Sequence, residues 1–318
     1  MPILELPDVR LNYLSLGPTE AAGDDRPPFL LIHGLAANLA FWYARIAPAL
    51  ARRHRVVMFD LRGHGRSSMP KTGYACSQMA DDVCALLDHL QIDRAHVVGH
   101  SFGGNVALHF ACRWPERMAS LTMADVRVRA VQPRVDLQSW SAWPRMREYL
   151  AQVGVAVDES AEEVGFELFN RIARVRLDAT SMAEQSPVLA LSPFAGAGGE
   201  AAARLWLKLI ETTSAPGDLV QGAGVTLEEI RRIAAPTLLV YGENSQTMPT
   251  ALGLQGILPS ARLEVAPGVG HFFPTRRPEL LIDPLLGFVA DIAAVPPPCA
   301  PRARDSADEV GLVHAAAC

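Results

Sequence analysis

The chain has 318 residues, 49% of them hydrophobic and 20% charged, and a formal net charge of −5. This is the composition of an ordinary globular protein, and the length suffices for one large α/β domain or two small ones with a sizeable core. Because the charge is mildly negative and no stretch interleaves basic with aromatic residues, we expect neither nucleic acid nor an anionic membrane as a partner.

The N-terminal segment and the cysteines indicate the compartment. The segment MPILELPDVR has no basic stretch followed by a long apolar run, so it does not resemble a signal peptide. Apolar runs elsewhere, such as FLLI and LLVY, are too short to cross a bilayer. The five cysteines contain no CxxC pair, which argues against a disulfide framework and a zinc site; they are Cys76, Cys84, Cys112, Cys299 and Cys318. We therefore expect a cytoplasmic protein with reduced thiols.

Short apolar runs, each ending in a polar or glycine-rich turn, predict buried strands. In chain order they are RPPFLLIHG, HRVVMFD, AHVVGHS, ASLTMAD, PTLLVYG and ARLEVAPG. Helical patterns alternate with them: in MADDVCALLDHL the apolar stripe consists of Val83, Leu86, Leu87 and Leu90. This alternation predicts an α/β fold with a mostly parallel central sheet flanked by helices.

Between residues 126 and 230 the alternation stops. Three segments there, SAWPRMREYLAQV, SAEEVGFELFNRIARV and EAAARLWLKLIETT, predict helices only. We expect an all-helical insertion between two strands of one sheet to cover the strand ends as a cap. The chain then divides into a core domain at residues 1–125 and 231–294, a helical cap at 126–230, and a Pro- and Ala-rich flexible tail at 295–318.

The strongest local signal is VVGHSFGG at residues 97–104, which contains G-x-S-x-G around Ser101. The motif stands between a predicted strand and the predicted helix NVALHFACRW, which is where a nucleophile elbow must lie. Small neighbours leave room for the strained turn that exposes the serine, and the helix N-terminus favours a developing oxyanion. The alternative, a glycine-rich turn with an incidental serine, lacks the patterns of a phosphate-binding loop.

With this turn, three further motifs occur in an order that resembles the α/β-hydrolase fold superfamily, in particular its capped esterase and dehalogenase-like members. They are LLIHGLAAN at residues 30–38, DLRGHGRSS at 60–68 and GVGHFF at 268–273. The resemblance covers residues 10–293 and is specific for the fold but weak for the substrate. It implies that the backbone N–H groups of Leu35 and Phe102 form an oxyanion hole.

His271 occupies the place of that family's catalytic base. It follows the last predicted strand in a Gly-Val-Gly-His loop, which matches the family's chain order of nucleophile, acid and base. An imidazole can take and return a proton near neutral pH, as the role requires.

The acid that should orient this base is missing from its commonest position. In the family, the loop in VYGENSQTMP usually carries an aspartate two places after the glutamate, whereas here Ser245 stands there. Asp125 ends the run ASLTMAD, 24 residues after Ser101, which resembles the alternative acid position of some haloalkane dehalogenases and related hydrolases. We therefore predict a triad of Ser101, His271 and Asp125. Glu243 as the acid, and a site without a working acid, stay open as alternatives.

Other polar residues of the motif loops are predicted to be structural. His33, His64 and Arg62 are expected to pack or to bond their own loops, and Asp60 to form an ion pair with Arg62 or to cap a turn. His100 is expected to be a pocket or packing residue, since a base adjacent to the nucleophile in the chain cannot easily reach the serine hydroxyl. The nucleophile is a serine, which attacks acyl carbon well and alkyl halides poorly.

Aromatic residues of the insertion and of the loop of the base are candidates for an apolar substrate pocket. The predicted pocket residues are Trp140, Trp143, Phe272 and His100. Packing between helices is the alternative for most aromatic residues of the insertion. Arg127 and Arg129, just past the predicted acid, either contact a substrate carboxylate or are solvated charges.

Together these residues predict a serine hydrolase that cleaves an ester, thioester or lactone of a small to medium-sized apolar substrate through an acyl-enzyme. The same triad is compatible with C–C bond hydrolysis, perhydrolysis, or acyl transfer or ring closure on a biosynthetic intermediate. A ligand-binding protein with a slow or silent triad, and a scaffold whose tail binds a partner, are further alternatives. No residues cluster as metal ligands, so we expect a small-molecule acyl substrate, no metal and no organic cofactor.

Overall fold

The structure is a computed structural model, and it describes residues 1–18, 26–159, 164–178, 189, 192–221 and 224–294. The strands of this part of the chain are β1 (Ile3–Glu5), β2 (Arg10–Leu16), β3 (Phe29–Ile32), β4 (Val56–Phe59), β5 (Ala95–His100), β6 (Met118–Ala124), β7 (Thr237–Gly242) and β8 (Ala261–Ala266). They form one sheet in the order β1-β2-β4-β3-β5-β6-β7-β8.

Strands β3 to β8 are parallel to one another, whereas β1 and β2 pair antiparallel at one edge. The predicted apolar runs contain β3 to β8, so the expectation of an α/β fold with a mostly parallel sheet is confirmed. The two N-terminal strands were not predicted. Their residues are largely half-buried or exposed, because they lie at the edge, so they lack the continuous apolar runs of the central strands.

The two faces of the sheet pack against separate apolar cores. In β3, Leu30 and Ile32 belong to one core, and Phe29 and Leu31 to the other. Successive side chains of a strand point to opposite faces, so a strand that is covered by helices on both sides must be apolar throughout.

The helices of the described residues lie on both faces of the sheet and in the segment between β6 and β7. They are α1 (Ala40–Tyr43), α2 (Ile46–Leu50), α3 (Cys76–His89), α4 (Phe102–Arg113), α5 (Trp143–Gln152), α6 (Val164–Asp178), α7 (Gly199–Thr212), α8 (Ala215–Gln221), α9 (Leu227–Arg231), α10 (Met248–Ile257), α11 (Phe273–Arg276) and α12 (Glu279–Ala294). Within the described ranges, none of them combines the length and the hydrophobicity that crossing a bilayer requires.

The segment between β6 and β7 contains α5 to α9 and, in its described residues, no strand. Hydrogen bonds tie it to loops of the core: Trp140 Nε1 donates to Asn244 O at 2.8 Å, and Ser214 N–H donates to Lys71 O at 2.8 Å. The division of the chain into core, cap and tail stays a prediction, and the tail at residues 295–318 lies outside the described residues.

The turn between β5 and α4 has no room for side chains on the glycines that flank Ser101. A Cβ on Gly99 would lie 2.4 Å from Gly103 O, and a Cβ on Gly103 would lie 2.4 Å from Ile32 O. Both distances are far shorter than van der Waals contact, and the obstructing atoms belong to the backbone, which cannot rotate away. The close approach of β3, β5 and α4 therefore requires the two glycines of the G-x-S-x-G motif.

We predict that Gly99→Ala lowers the free energy of unfolding by about 2 kcal/mol or more, because overpacking a rigid site costs about 1–3 kcal/mol. Urea denaturation followed by tryptophan fluorescence measures the change. Gly287→Ala is the matched control, since a Cβ at this position of α12 meets nothing within 4 Å. Alanine is also the better helix former by about 1 kcal/mol, so the control should be neutral or stabilising. Equal destabilisation of the two variants would contradict the close approach.

Candidate active site

Ser101 lies at the turn from β5 into α4 with its backbone in an uncommon conformation. Its φ of 53° is in the left-handed region, which residues with side chains rarely adopt. The Ser101 N–H donates to Ala124 O at 3.1 Å, and the Gly104 N–H donates to Ser101 O at 3.0 Å. These hydrogen bonds hold the strained residue, and its side chain lines a cavity at the carboxyl edge of the sheet.

His271 lies in the loop after β8 and contacts both other residues of the predicted triad. Its Nδ1 is 2.7 Å from Asp125 Oδ1, and its Nε2 is 3.0 Å from Ser101 Oγ. Because a carboxylate oxygen only accepts, Nδ1 carries the proton of the neutral ring, and Nε2 is left to accept from the serine hydroxyl. The structure therefore brings the three predicted residues together in the order acid, base, nucleophile.

Asp125 is completely buried at the end of β6, and the donors to its carboxylate come from the end of β7 and the loops after β7 and β8. Oδ2 accepts a hydrogen bond from Gly242 N–H at 2.8 Å. Oδ1 accepts from Ser245 Oγ at 2.5 Å and Thr247 Oγ1 at 2.6 Å, in addition to the His271 ring. A buried carboxylate is stable only when its oxygens are bonded in this way.

The pKa of Asp125 lies below its ordinary value of 3.8. Burial is the largest influence and acts to raise this pKa, but the hydrogen bond and charge of His271 and the hydrogen bonds from Ser245 and Thr247 together lower it by more. The side chain is therefore a carboxylate anion at neutral pH, as the acceptor of the His271 proton must be.

Ser245 stands where the family usually has its acid, and its hydroxyl donates to Asp125, the predicted acid. Glu243, the alternative acid, is exposed, and its Oε2 accepts a hydrogen bond from Gly268 N–H at 2.8 Å. The geometry therefore favours Asp125 over Glu243 as the partner of His271. The donor role of Ser245 was missed because nothing in the sequence links it to a residue 120 positions away.

Leu35 and Phe102, which are predicted to hold the oxyanion, line a cavity of about 220 Å³ that also contains Ser101. Phe102 is the first residue of α4, so its backbone N–H has no carbonyl partner within the helix and lies at the positive end of the helix dipole. Leu35 lies in the loop after β3, beside Ala36 with its φ of 56°. Backbone donors in these positions suit a negatively charged oxygen beside the serine.

His100, predicted as a pocket residue, also supports the loop of His271. Its ring stacks on Phe41 at a centroid distance of 4.6 Å, and its Nε2 lies 3.0 Å from the backbone oxygen of His271. Because a carbonyl only accepts, Nε2 carries the proton of the His100 ring and donates it. Burial, and secondly the proximity of His271, lowers the pKa of His100 to about 3, so the ring is neutral. His100 and Phe272 both line a cavity of about 320 Å³.

Trp140, Trp143 and Phe272, the other predicted pocket residues, line a cavity of about 460 Å³ together with His271. Its walls are largely aromatic and aliphatic, and they come from the segment before α5, from α5 and α6, and from the loops after β7 and β8. Trp206 is as deeply buried as Trp143, but it is not part of this cavity's wall and packs against the aromatic rings of α6. The helix-packing alternative therefore describes Trp206, whereas Trp140 and Trp143 face a cavity.

Arg127 and Arg129 both line the cavity of about 220 Å³. Arg127 donates from Nε to Gln132 O at 3.1 Å and from Nη2 to Pro133 O. Its guanidinium therefore helps to hold the loop after β6.

Asp60 bonds loops together and does not form the ion pair that was one of its two predicted roles. The guanidinium of Arg62 reaches Asp82 of α3 at 2.7 Å, so it is turned away from Asp60. Asp60 accepts hydrogen bonds from the backbone N–H groups of Leu39 at 2.7 Å and Arg66 at 2.8 Å.

His33 and His64 are buried in the same loops. His33 Nε2 accepts from Leu61 N–H at 3.0 Å, and burial, followed by the proximity of His64, lowers the pKa of His33 to about 3. Burial also lowers the pKa of His64, so both rings are neutral structural elements. Across the described ranges, no three His, Cys, Asp or Glu side chains come together as a set of metal ligands.

Comparison with known proteins gives matches to hydrolases. A family model described as alpha/beta hydrolase fold matches residues 27–275. A putative carbamate hydrolase RutD from Azorhizobium caulinodans is 28% identical over 267 residues, which is 83% of this chain and 92% of the relative. The 3-oxoadipate enol-lactonase 2 from Acinetobacter baylyi is 36% identical over 135 residues, which is 42% of this chain and 47% of the lactonase.

Among solved structures, one described as Est816, an N-acyl homoserine lactone degrading enzyme, matches with a TM-score of 0.63 and 25% identity over 90% of this chain and 100% of that one. The chain spans 47% of the length of the lactonase and 28% of the length of another curated relative. The family model nevertheless covers more than half of the chain. These matches favour an enzyme over a ligand-binding protein with a silent triad. We conclude that the chain is an enzyme and belongs to the α/β hydrolase fold family.

Proposed function

We propose that the chain is a serine hydrolase that cleaves an ester, thioester or lactone of a small to medium-sized apolar substrate through an acyl-enzyme. Two hydrogen bonds carry this proposal, the one of 2.7 Å between Asp125 and His271 and the one of 3.0 Å between His271 and Ser101. A base that is oriented by a carboxylate and bonded to a serine hydroxyl is the arrangement that turns this weak nucleophile into a strong one.

In the proposed mechanism, Ser101 Oγ forms a bond to the carbonyl carbon while His271 Nε2 takes the hydroxyl proton. Asp125 keeps its hydrogen bond to Nδ1–H and stabilises the imidazolium that results. The bond from the carbonyl carbon to the leaving oxygen or sulfur then breaks, and Nε2 returns the proton to that atom. Water then attacks the acyl carbon while Nε2 takes a proton from it. The bond from that carbon to Ser101 Oγ breaks, and Nε2 gives the proton to Oγ, which releases the acid and restores the serine.

The negative charge of the tetrahedral intermediate needs donors that are already in place. We assign this role to the backbone N–H groups of Phe102, at the start of α4, and of Leu35, in the loop after β3. Donors of this kind typically contribute about 3–4 kcal/mol of transition-state stabilisation, because they need no reorganisation during the reaction.

The type of bond cleaved is supported by the comparisons. One relative is named as an enol-lactonase, another as a putative carbamate hydrolase, and a structural neighbour is described as degrading N-acyl homoserine lactones. The first two names describe hydrolysis at an acyl carbon, and the third describes the degradation of a lactone. C–C hydrolysis, perhydrolysis and acyl transfer use the same triad and are distinguished from ester hydrolysis by their products.

We further propose that the helical segment at residues 126–230 acts as a cap over the site, because α5 and α6 supply walls of the cavity that contains His271. A cytoplasmic location is also proposed. It is supported by the thiols of Cys76, Cys84 and Cys112, which are free.

We predict that Asp125→Asn lowers kcat for p-nitrophenyl acetate by about 10⁴-fold, because an amide cannot hold the His271 ring in the required tautomer or stabilise its charge. Ser101→Ala should lower kcat by about 10⁶-fold, since it removes the nucleophile. Steady-state release of p-nitrophenol by the purified proteins measures both effects.

Glu243→Gln is the matched control, because it neutralises the other carboxylate near the loop of the base. It should retain the kcat of the wild type. If Glu243→Gln loses activity while Asp125→Asn keeps it, the acid is assigned to the wrong residue. If Ser101→Ala retains turnover, the serine mechanism is wrong.

We predict that Ser245→Ala destabilises the protein more at neutral pH than in acid. Hydrogen bonding holds the pKa of Asp125 in the folded protein below its ordinary value of 3.8. This contributes stability that is present above pH 3.8 and is lost as the pH falls through the lower folded pKa. Without the Ser245 hydroxyl, the depression is smaller, and the free energy of unfolding should fall by about 1–3 kcal/mol at neutral pH.

Urea denaturation of wild type and Ser245→Ala at neutral pH and at successively lower pH values well below 3.8 measures this difference, which should shrink as the pH falls through the pKa of the folded carboxyl group. Ser260→Ala serves as the control, since the exposed hydroxyl of Ser260 donates to the backbone oxygen of Ala235 at 3.3 Å and to no titrating group. A loss of stability in Ser245→Ala that is independent of pH would refute the link to the charge of Asp125.

A further inference from the structure

Three cavities of the described structure surround the proposed catalytic residues, and they contain Ser101 and His271 in different combinations. The first, of about 220 Å³, is lined by Ser101 with Leu35 and Phe102 but not by His271. The second, of about 460 Å³, is lined by His271 but not by Ser101. The third, of about 320 Å³, is lined by both. We call them the serine cavity, the histidine cavity and the shared cavity.

The proposed mechanism assigns the two ends of a substrate to different sides of the site. His271 Nε2 must deliver its proton to the leaving oxygen, so the leaving group has to lie against this ring. The acyl carbon is bonded to Ser101 Oγ, and its oxygen is held by the backbone donors of Leu35 and Phe102. The acyl chain therefore extends from the side that carries these three residues.

We propose that the serine cavity takes the acyl group and the histidine cavity takes the leaving alcohol, so that the preferred substrates are esters of a short acyl group and a larger apolar alcohol. This inference rests on the proposed serine hydrolase function and adds the orientation of the substrate to it. The shared cavity contains both reacting side chains, and we assign the scissile bond to it.

The sizes of the cavities agree with this orientation. Pockets that enclose a drug-sized ligand measure about 300–1,000 Å³. The histidine cavity, at about 460 Å³, is within that range, whereas the serine cavity, at about 220 Å³, is below it. The larger end of a substrate therefore fits beside the base and the smaller end beside the nucleophile.

The chemistry of the walls leads to the same orientation. Apolar side chains dominate the histidine cavity; they include Trp140, Trp143, Met146, Leu168, Ile172 and Phe272. The serine cavity also has apolar walls, but polar groups form a larger share of its lining, among them Asn105, His109 and Arg129. A long hydrocarbon chain placed against those groups would displace the water that solvates them without offering new hydrogen bonds, which is unfavourable. A short acyl group avoids this penalty.

Phe169 forms part of the wall of all three cavities. Its ring meets Phe194 edge-on at a centroid distance of 6.3 Å and lies 6.1 Å from the Trp206 ring. Aromatic neighbours on two sides restrict the ring, so it can separate the acyl end from the alcohol end of a bound ester.

A pair of isomeric esters tests the orientation directly. In 2-phenylethyl acetate the large apolar part is the alcohol, and in ethyl phenylacetate, which has the same molecular formula, it is the acyl group. We expect kcat/KM for 2-phenylethyl acetate to exceed that for ethyl phenylacetate by at least about tenfold, because a substrate group that does not fit its pocket typically lowers kcat/KM by this factor. The rate of alkaline hydrolysis of each ester corrects for its intrinsic reactivity.

Two matched variants reduce the size of one cavity each. Met146→Trp narrows the histidine cavity and should lower the ratio of the two kcat/KM values, whereas Val220→Trp narrows the serine cavity and should raise it. Val135→Trp, which also narrows the histidine cavity, is a second route to the first result if Met146→Trp does not fold.

A wild-type preference for ethyl phenylacetate, or a shift of the ratio in the same direction by both variants, would overturn the orientation and leave the hydrolase function intact. Hydrolysis of neither ester, together with no turnover of p-nitrophenyl acetate, would overturn the proposed function and the orientation with it. Equal kcat/KM values for the two esters would also overturn the orientation, because they would show that the cavities do not discriminate between the ends.

Discussion

The buried carboxylate of Asp125 is the group on which the arrangement of the site depends. An anion without contact to water is tolerated only if hydrogen bonds replace its hydration, and here they come from Gly242, Ser245, Thr247 and His271. These donors lie at the end of β7 and in the loops after β7 and β8, whereas Asp125 follows β6. The same contacts that keep the charge stable therefore connect three neighbouring strand ends and orient the His271 ring toward Ser101.

Backbone strain is concentrated at the carboxyl ends of the same parallel strands. Ser101 and Asp125, at the ends of adjacent strands, have φ values of 53° and 54°. Each strained residue donates its N–H to the next strand: Ser101 to Ala124 O at 3.1 Å, and Asp125 to Val240 O at 2.9 Å. A left-handed conformation at a residue with a side chain costs about 1–3 kcal/mol and persists only where the surroundings impose it. The parallel ladder, buried between two apolar cores, imposes it at both positions.

Much of the candidate site at the carboxyl ends of the strands could be predicted from the sequence, because short continuous stretches of residues determine it. The apolar runs located β3 to β8, and the motifs around Ser101 and His271 stand directly after such runs. Asp125 could be located for the same reason, since it ends a run. The substrate-facing side of the insertion was harder to predict. Trp140 and Trp206 are both tryptophans of the insertion, yet only their tertiary contacts decide that one lines a cavity and the other packs against rings of α6.

The features that were missed depend on contacts between distant positions. Arg62 reaches Asp82 of α3 although Asp60 is its closer neighbour in the chain, because the backbone of the loop turns the guanidinium away. Ser245 and Thr247 belong to no recognisable sequence motif. Their hydroxyls donate to Asp125 because β7 pairs with β6, and this contact cannot be read from the sequence. Edge strands β1 and β2 were missed for a different reason, since one-sided burial weakens the apolar pattern.

His100 shows how burial near the base serves the proposed chemistry. In that mechanism His271 becomes an imidazolium, and a second cation with its ring centroid 5.0 Å away would oppose the new charge. Burial of His100 prevents this, because it lowers the pKa to about 3 and keeps the ring neutral at any pH at which the enzyme would work. The neutral ring still donates Nε2–H to the backbone oxygen of His271. It therefore holds the loop of the base in place without competing for the proton that the base must carry.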